Sequence, residues 1–512
     1  MSNNPIPMMP QIKNIVFLML ENRSLDNLLG WLYEDTKPEH VFPLDSCKDY
    51  EGLQTGKHTN PDVNGNPVPV TKITDIVWRE MRSNGWGVPY SDPYEALRAY
   101  PVDIRAPRYS WYGVMNQFYG NQDTHDGLPD PGTPPAMQGF FQDYYTSGRK
   151  WNCHDILWTY TPSQLTVINS LARNFAVSDR WFSSVPSDTN PNRAYSLCGT
   201  SLGRESNLNL NSQETFDTPT LFNQLAKADK NWKLYYHKEW VKDVCYTEYT
   251  FPRITKAGNG KSTLINDFFN DAAAGTLPDF SYIEPLWTGL LDEGNDYHPP
   301  ILGQGFVGPA ENFLKRVFTA LRNSPQWEDM LFIVTFDEHG GNYDHVPPPR
   351  TAINPDGKIG IENHFPFTQF GARVPTLLIS PYIRKGTVFR SPDGLDHPFD
   401  HTSFIKTILM WAGIEPKDMN LGDRALHAPT FEDVLSDHRV NDTASAGQDH
   451  ICPSAEEVTC HPAGTNKELS ALMINVPVVA TKRILAQSKT KEEVAAAVAL
   501  YWQDPKKFED QL

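Results

Sequence analysis

The sequence has no long apolar run and is short of positive charge. No stretch approaches the about 20 consecutive apolar residues that cross a bilayer, so a transmembrane protein is not indicated. Lys and Arg number 45 against 62 Asp and Glu, which gives a formal net charge of -17. This balance argues against nucleic acid and anionic membrane surfaces as preferred partners, while transient contact with zwitterionic lipid stays compatible with it.

The sequence also predicts no zinc-type cysteine site, no signal peptide over residues 1–10 and no internal repeats. The six cysteines do not have the spacing of a metal site. Cys452 and Cys460 could close a short loop in an oxidising compartment, but free thiols throughout are equally compatible with the sequence. Residues 1–10 carry no basic region ahead of a hydrophobic stretch. We expect a cytoplasmic protein by default, or a secreted one if it uses another export route or has lost a leader.

What the sequence does contain is two apolar runs that each end in polar residues. Residues 15–20 lead into Glu21 and Asn22, and residues 331–336 lead into Asp337 and Glu338. Apolar runs of this length are typical of buried strands in a parallel sheet, and ligands bind beyond the carboxyl ends of such strands. The four side chains are therefore predicted to converge on one divalent ion, with Ca, Mg, Mn and Zn all open. The alternative is that each acidic group caps a helix or turn.

Strands alternate with helices along most of the chain. Residues 232–236, 280–283 and 374–379 predict strands, whereas 313–321 and 404–411 have helical periodicity. Ser163 could cap one helix, and Thr218-Pro219 predicts the start of another. Residues 36–110 predict a long excursion from the sheet. The alternation predicts a three-layer α/β sandwich with a mostly parallel central sheet.

The composition changes near residue 415. Residues 440–466 are polar and rich in small side chains, and residues 490–500 favour a helix. We therefore predict a main domain over 1–415 and a smaller C-terminal region over 416–512 with a helical tail.

A third motif is informative together with the two apolar runs. Asp179-Arg180-Trp181-Phe182 leads on to Thr189-Asn190-Pro191-Asn192-Arg193. Together the three strings resemble the phosphoesterase family that holds bacterial phospholipases C, related acid phosphatases and plant non-specific phospholipases C, with the plant-like branch nearest. The resemblance continues in order through Pro135-Ala136-Met137-Gln138-Gly139-Phe140, Asn295-Asp296-Tyr297-His298-Pro299, Ser324-Pro325-Gln326-Trp327, His345-Val346-Pro347-Pro348-Pro349 and Gly371-Ala372-Arg373-Val374-Pro375.

The resemblance spans roughly the first four hundred residues and implies an alkaline-phosphatase-like sandwich. The sequence departs from the family at three places. The family usually has Phe where Leu25 stands, an aromatic residue or His where Asn27 stands, and Gly-Pro or a small pair where Ser187-Asp188 stands. These changes affect the shape of the pocket and leave its chemical groups intact.

The resemblance also implies a nucleophile and a set of metal ligands. Thr189 holds the family's Thr/Ser position, and the competing hydroxyl of Ser187 fits the family register less well. A metal bound to a hydroxyl lowers its pKa and can replace a general base. The metal ligands implied are Glu21, Asn22, Thr189, Asp337 and Glu338.

Histidines and two further polar residues complete the expected site. His125 and His298 match histidines of the family's active site, where they contact phosphoryl oxygens or protonate the leaving group. His339 and His345 flank the Gly340-Gly341 turn, so one could enter the site while the other holds the loop, and we include His345 among the catalytic candidates. Asn192 and Arg193 are candidates for binding phosphate oxygens, although Arg193 could equally brace an acid.

Asp400 and His401 could be interpreted as a separate pair of metal ligands. We expect Asp400 instead to cap the helix that starts near Thr402.

These features predict a phospholipase C that acts on glycerophospholipids such as phosphatidylcholine. The aromatic content of 12% would suit a pocket for a lipid or a choline-type head group. A broad-specificity acid phosphatase is the alternative among hydrolases, because the same nucleophile and metal serve both substrates. A non-catalytic protein that binds phosphate-ester ligands is the competing class.

Overall fold

A nine-stranded sheet lies at the centre of the protein. The computed structural model describes residues 8–441 except 45, 74–108, 121–128, 130–132, 147–152, 208–214, 238–244, 288–293 and 300–306. The strands are β1 Asn14–Leu20, β2 His40–Phe42, β3 Thr59–Pro61, β4 Pro67–Pro69, β5 Thr71–Lys72, β6 Trp158–Thr159, β7 Ala176–Ser178, β8 Trp232–Tyr236, β9 Gly260–Leu264, β10 Phe280–Ile283, β11 Met330–Phe336, β12 Thr376–Ile379 and β13 Thr387–Phe389.

The helices connect these strands. They are α1 Leu25–Leu29, α2 Tyr109–Tyr119, α3 Phe140–Thr146, α4 Thr166–Asn174, α5 Thr189–Cys198, α6 Leu221–Lys227, α7 Tyr246–Thr250, α8 Ile265–Ala274, α9 Val307–Arg322, α10 His401–Trp411 and α11 Gly422–His427. Short 3-10 turns cover Cys153–Leu157, Pro252–Lys256, Trp327–Asp329, Pro416–Asp418 and Glu432–Val434. None of the helices described is both long and apolar enough to cross a membrane.

The central sheet is mostly parallel. Its strand order is β2-β13-β7-β12-β11-β1-β10-β8-β9, and in the part of the chain that the structure describes β12 alone runs against its neighbours. Helices pack in two groups, with α5 against α10 in one and α4 against α9 in the other. The α/β class, the mostly parallel sheet and the strands expected at 232–236 and 280–283 are thus confirmed.

The two apolar runs form adjacent central strands, as their composition predicts. Every residue of β1 and of β11 is buried, and the two strands pair in parallel register along their full length. A strand covered on both faces needs apolar side chains on both, which is why these runs are continuous rather than alternating. The carboxyl ends of both strands consequently meet at one edge of the sheet.

Helix α4 begins in a way that the sequence does not predict. Its N-cap position is Leu165 rather than Ser163, and its first N–H groups are satisfied from another helix. Glu311 of α9 accepts from the backbone N–H groups of Val167 and Ile168 at 2.7 and 3.1 Å. Glu311 also accepts from the hydroxyl of Tyr297, so one buried carboxylate holds α4, α9 and the segment before His298 together.

Other boundaries also differ from the predictions. The helix start predicted at Thr218-Pro219 is wrong, because Thr220 is the N-cap and forms a capping box with Asn223. The predicted excursion over 36–110 is not wholly outside the sheet, since β2 pairs with β13 at its edge. Asp400 is confirmed as the N-cap of α10, where its side chain accepts from the backbone N–H of Thr402 at 3.1 Å.

Residues 416–441 lie on the main body, with Leu421 and Phe431 buried in its core. The boundary at residue 415 stays a prediction. The helical tail over 490–500 lies outside the described residues, and so do Cys452 and Cys460. Within the described part of the chain, Cys47, Cys198 and Cys245 are free thiols, the last two of them buried.

Candidate active site

The candidate site lies where β1 and β11 end side by side. Leu20 pairs with Phe336, so Glu21 and Asp337 leave the sheet next to each other. The backbone N–H of Asn22 donates to Asp337 Oδ1 at 2.9 Å. Asn22 has a φ of +54°, in the left-handed region that asparagine tolerates better than most residues. This sharp turn brings three of the predicted metal ligands to the same place.

Thr189 reaches this place from the other side. It is the first residue of α5, and its side chain is only 7% exposed. Its Oγ1 lies 3.2 Å from Glu21 Oε2 and 3.4 Å from Asn22 Oδ1. The dipole of a helix favours negative charge at its N-terminal end. The structure therefore places the Thr189 hydroxyl between two predicted ligands and a helix end suited to an anion.

Asn192 holds the loop that precedes Thr189. Its Oδ1 accepts from the backbone N–H of Val185 at 3.0 Å. Its Nδ2 lies 3.1, 2.9 and 3.0 Å from the carbonyl oxygens of Val185, Ser187 and Asp188. With both ends of its amide engaged by this loop, Asn192 is a brace, and the prediction that it binds substrate is not supported. The Ser187 hydroxyl donates to a backbone carbonyl, that of Glu205, which turns the competing nucleophile to a structural role.

Arg193 pairs with the acids of the site. Its Nε donates to Glu21 Oε1 at 3.0 Å and lies 3.5 Å from Asp337 Oδ2. The guanidinium stacks over the ring of Trp287 at 4.5 Å, and the side chain is 2% exposed. A buried charge with this many partners supports the alternative that Arg193 braces an acid over direct contact with substrate.

The polar groups of this cluster fit a cation. Asp337 Oδ2 is buried and accepts no hydrogen bond within the described ranges, although Arg193 Nε lies 3.5 Å away. Burial, and next the Asp337 carboxylate, raise the pKa of Glu21 well above its usual value although Arg193 acts to lower it. One guanidinium thus only partly neutralises two buried carboxylates, and a divalent ion would supply the positive charge and the coordination that they lack.

Glu338 is the least directly supported of the predicted ligands. Its Oε2 accepts from the backbone N–H of Gly340 at 2.6 Å, within its own turn. Glu21, Asn22, Asp337 and Thr189 form the part of the predicted ligand set that the structure brings together.

A second charged cluster surrounds His345 beside the first. The Nδ1 of His345 lies 2.6 Å from Asp26 Oδ2, and Arg373 donates to Asp26 Oδ1 at 2.8 Å and to Asp344 Oδ1 at 3.0 Å. The ring of His58 packs against that of His345 with centroids 4.5 Å apart. Burial acts to lower the pKa of His345, but the Asp26 carboxylate outweighs it and the pKa is raised.

This second cluster is a poorer cation site than the first. Ligand atoms of Asp26, Asp344 and His345 lie within 4.8 Å of one another, which is close enough for one ion. The Arg373 guanidinium already bonds to both carboxylates and supplies their positive charge. The arrangement is that of a histidine oriented by Asp26 rather than of a metal centre.

The remaining predicted histidines separate into three cases. His298 is buried with its Nδ1 2.6 Å from the carbonyl oxygen of Pro299, so its Nε2 is the nitrogen that remains for a ligand. His339 donates from Nε2 to Gln117 at 2.8 Å, and burial lowers its pKa to about 3, so it holds its loop as a neutral ring. His125 lies outside the described residues.

Sequence reasoning missed Asp296 as a residue of the site, and it named His401 only together with Asp400 as an alternative metal pair. Asp296 accepts at its carbonyl from the N–H of Glu21 at 2.7 Å, and its carboxylate accepts from the N–H of His298 at 3.0 Å. His401 donates from Nε2 to the carbonyl oxygen of Asp337 at 2.5 Å. The signal for Asp296 was present in the Asn295-Asp296-Tyr297-His298 string, and that for His401 in the acidic-His pair that opens α10.

Comparisons with known proteins identify relatives of this chain. A sequence model of the phosphoesterase family matches residues 12–414. The chain is 33% identical to non-specific phospholipase C1 of Arabidopsis thaliana over 84% of this chain and 72% of that protein. It is 28% identical to phospholipase C B of Mycobacterium tuberculosis over 79% and 74%. A solved alkaline phosphatase superfamily protein from Vibrio parahaemolyticus aligns with 62% of this chain and 81% of its own, at 14% identity and a TM-score of 0.31.

Proposed function

The chain belongs to the phosphoesterase family, and from this premise we propose that it is a phospholipase C. The reaction is hydrolysis of the bond between glycerol and phosphate in glycerophospholipids such as phosphatidylcholine, with release of diacylglycerol and a phosphorylated head group. The relatives named non-specific phospholipase C and phospholipase C support this substrate class. The observation that carries the proposal is the buried Thr189 hydroxyl, held between Glu21 and Asn22 at the start of a helix.

Thr189 acts as the nucleophile in this proposal. Its Oγ1 attacks phosphorus and the bond to the glycerol oxygen breaks, so that Thr189 carries the phosphoryl head group as a phosphodiester. Water later hydrolyses this ester, which releases the phosphorylated head group and restores the hydroxyl. The loop braced by Asn192 fixes the hydroxyl before attack, and the positive end of the α5 dipole favours the negative charge of the phosphoryl oxygens.

Glu21, Asn22, Asp337 and the Thr189 oxygen would hold a divalent ion, with Glu338 as a further candidate. When bound, this ion lowers the pKa of the Thr189 hydroxyl and neutralises phosphoryl oxygens. Arg193 keeps Glu21 and the Asp337 carboxylate oriented whether or not substrate is present.

The leaving glycerol oxygen needs a proton, and His345 is the residue best prepared to supply it. Asp26 accepts from its Nδ1 and favours the charged ring, which leaves the Nε2 proton for transfer. His298 is the second candidate, with its ring fixed by the carbonyl of Pro299. His125 stays a family-based candidate.

Initial rates on two substrates test the function with one purified sample. We expect kcat/KM on phosphatidylcholine to exceed that on a simple phosphomonoester by about tenfold or more, a discrimination of about 1.4 kcal/mol. Hydrolysis of the monoester alone would instead identify an acid phosphatase. No turnover of either substrate in metal-supplemented protein would identify a protein that only binds phosphate esters.

A further inference from the structure

Two isoleucines are exposed on one short loop. Ile359 and Ile361 are 60% and 63% exposed. Of the six large hydrophobic side chains that are exposed in the described part of the chain, these are the two that stand one residue apart. Single exposed aliphatic residues are common, but an adjacent pair is typical of a surface that meets an apolar partner.

The loop that carries them, residues 356–362 and here called the isoleucine loop, is held firmly. Glu205 accepts from the backbone N–H groups of Glu362 and Asn363 at 2.7 and 2.8 Å. The N–H of Ile361 donates to the carbonyl oxygen of Gly203 at 2.9 Å. Gly360 lies so close to Glu205 that an added Cβ would stand 2.2 Å from its Cδ. The residue between the isoleucines therefore faces the body, and both isoleucines face outward.

Residues 203–207, which hold the isoleucine loop, also contact the loop that carries the candidate nucleophile Thr189. The carbonyl oxygen of Glu205 accepts from the Ser187 hydroxyl. The N–H of Asn207 donates to Asp188 Oδ2 at 2.9 Å, and its Oδ1 accepts from the N–H of Asn190 at 2.7 Å. Residues 203–207 thus link the isoleucine loop to the residues on both sides of Thr189. The isoleucine loop and the loop of Thr189 are thus supported by the same short segment.

We propose that the isoleucine loop inserts Ile359 and Ile361 into a zwitterionic phospholipid surface and so docks the site on its substrate. This inference rests on the proposed function, since a phospholipase C must reach a bond at the head-group level of a lipid layer. The charge of the chain favours this partner over an anionic one. The formal net charge is -17, and the single cation of the loop, Lys358, pairs with Asp356. Burial of apolar side chains then supplies the attraction that charge does not.

The test is binding of the full chain to phosphatidylcholine vesicles, with Ile359→Ser/Ile361→Ser compared against Ile359→Leu/Ile361→Leu. A Thr189→Ala background prevents hydrolysis during flotation. We expect the serine pair to weaken vesicle binding by about tenfold to a hundredfold and the leucine pair to preserve it. In protein that keeps Thr189, the serine pair should hydrolyse vesicles more slowly because its KM is higher. Hydrolysis of short-chain monomeric phosphatidylcholine and of a soluble phosphomonoester should stay unchanged.

Three results would overturn the proposal. One is vesicle binding by the serine pair that equals that of the parent. Another is an equal loss of activity on monomeric and vesicular substrate, which would make the loop a support of the site. The third is loss of a dimer in the serine pair without loss of vesicle binding, which would make the isoleucines a contact between copies. If the parent hydrolyses no phospholipid, the proposed function is wrong. The vesicle-binding measurement still tests whether the isoleucine loop docks on lipid.

Discussion

Replacing Thr189 by alanine is the sharpest perturbation of the proposed mechanism. The change removes the one hydroxyl that lies within 3.4 Å of both Glu21 and Asn22. Loss of a covalent nucleophile costs between about a thousandfold and a millionfold in kcat, or roughly 4 to 8 kcal/mol of transition-state stabilisation. The long hydrogen bonds of this hydroxyl contribute less than about 1 kcal/mol to folding, so the melting temperature should change little.

The assay is initial rates on phosphatidylcholine with unfolding monitored in parallel, and Thr189→Ser is the matched control. Serine keeps the hydroxyl and loses only a methyl group, so its kcat should stay within about tenfold of the parent. A folded Thr189→Ala protein with activity within tenfold of the parent would refute the assignment. A serine variant as inactive as the alanine variant would show that the methyl packing, rather than the hydroxyl, is what the site needs.

Three further outcomes follow from other parts of the structure. Elemental analysis of the parent should find about one divalent ion per chain. Asp337→Asn should lower this metal content, whereas Asp344→Asn should leave it unchanged. The reverse pattern would assign the ion to the second cluster. Asp26→Asn should shift the alkaline limb of the kcat/KM profile to lower pH, because the carboxylate that raises the pKa of His345 is gone; an unmoved limb would remove His345 as the proton donor. Burial raises the pKa of Glu311 from 4.5 to about 7, so its contribution to stability is complete below pH 4.5 and is lost as pH rises through about 7. Urea midpoints at pH 5 and pH 8 should show this loss, up to about 3 kcal/mol, in the parent and not in Glu311→Gln, and equal pH dependence of the two would contradict it.

The central strands and the acids at their ends were predictable because their signal is local. A continuous apolar run identifies a strand buried on both faces, and the following polar residues identify its edge. The register that sets Leu20 beside Phe336 was not contained in either run, yet any parallel pairing of these strands brings Glu21 near Asp337. The position of Thr189 came from the family resemblance, since its own turn looks like many others.

The contacts that were missed are long-range and involve residues that have common local roles. Glu311 lies in the middle of a helix, and nothing nearby in sequence shows that it caps α4. Asn192 is typical of both a turn brace and a phosphate ligand, and only the positions of Val185 and Asp188 decide between them. The orientation of β12 was likewise open, because a short apolar strand has the same composition in either direction.

The reversal of β12 has a consequence for how this protein can diversify. Because β11 and β12 are antiparallel neighbours, residues 337–375 leave the sheet and return to it at the same edge, with Thr335 Oγ1 and Thr376 Oγ1 2.8 Å apart at the base. This one connection carries Glu338, His345, the isoleucine loop and Arg373. Its ends are closed by the strand pair itself, so a change in its length costs little in loop-closure entropy. Changes in the length of the isoleucine loop within this segment therefore leave both strand ends, Asp337 and the nucleophile on α5 in place. The surface of the protein can vary here independently of its site.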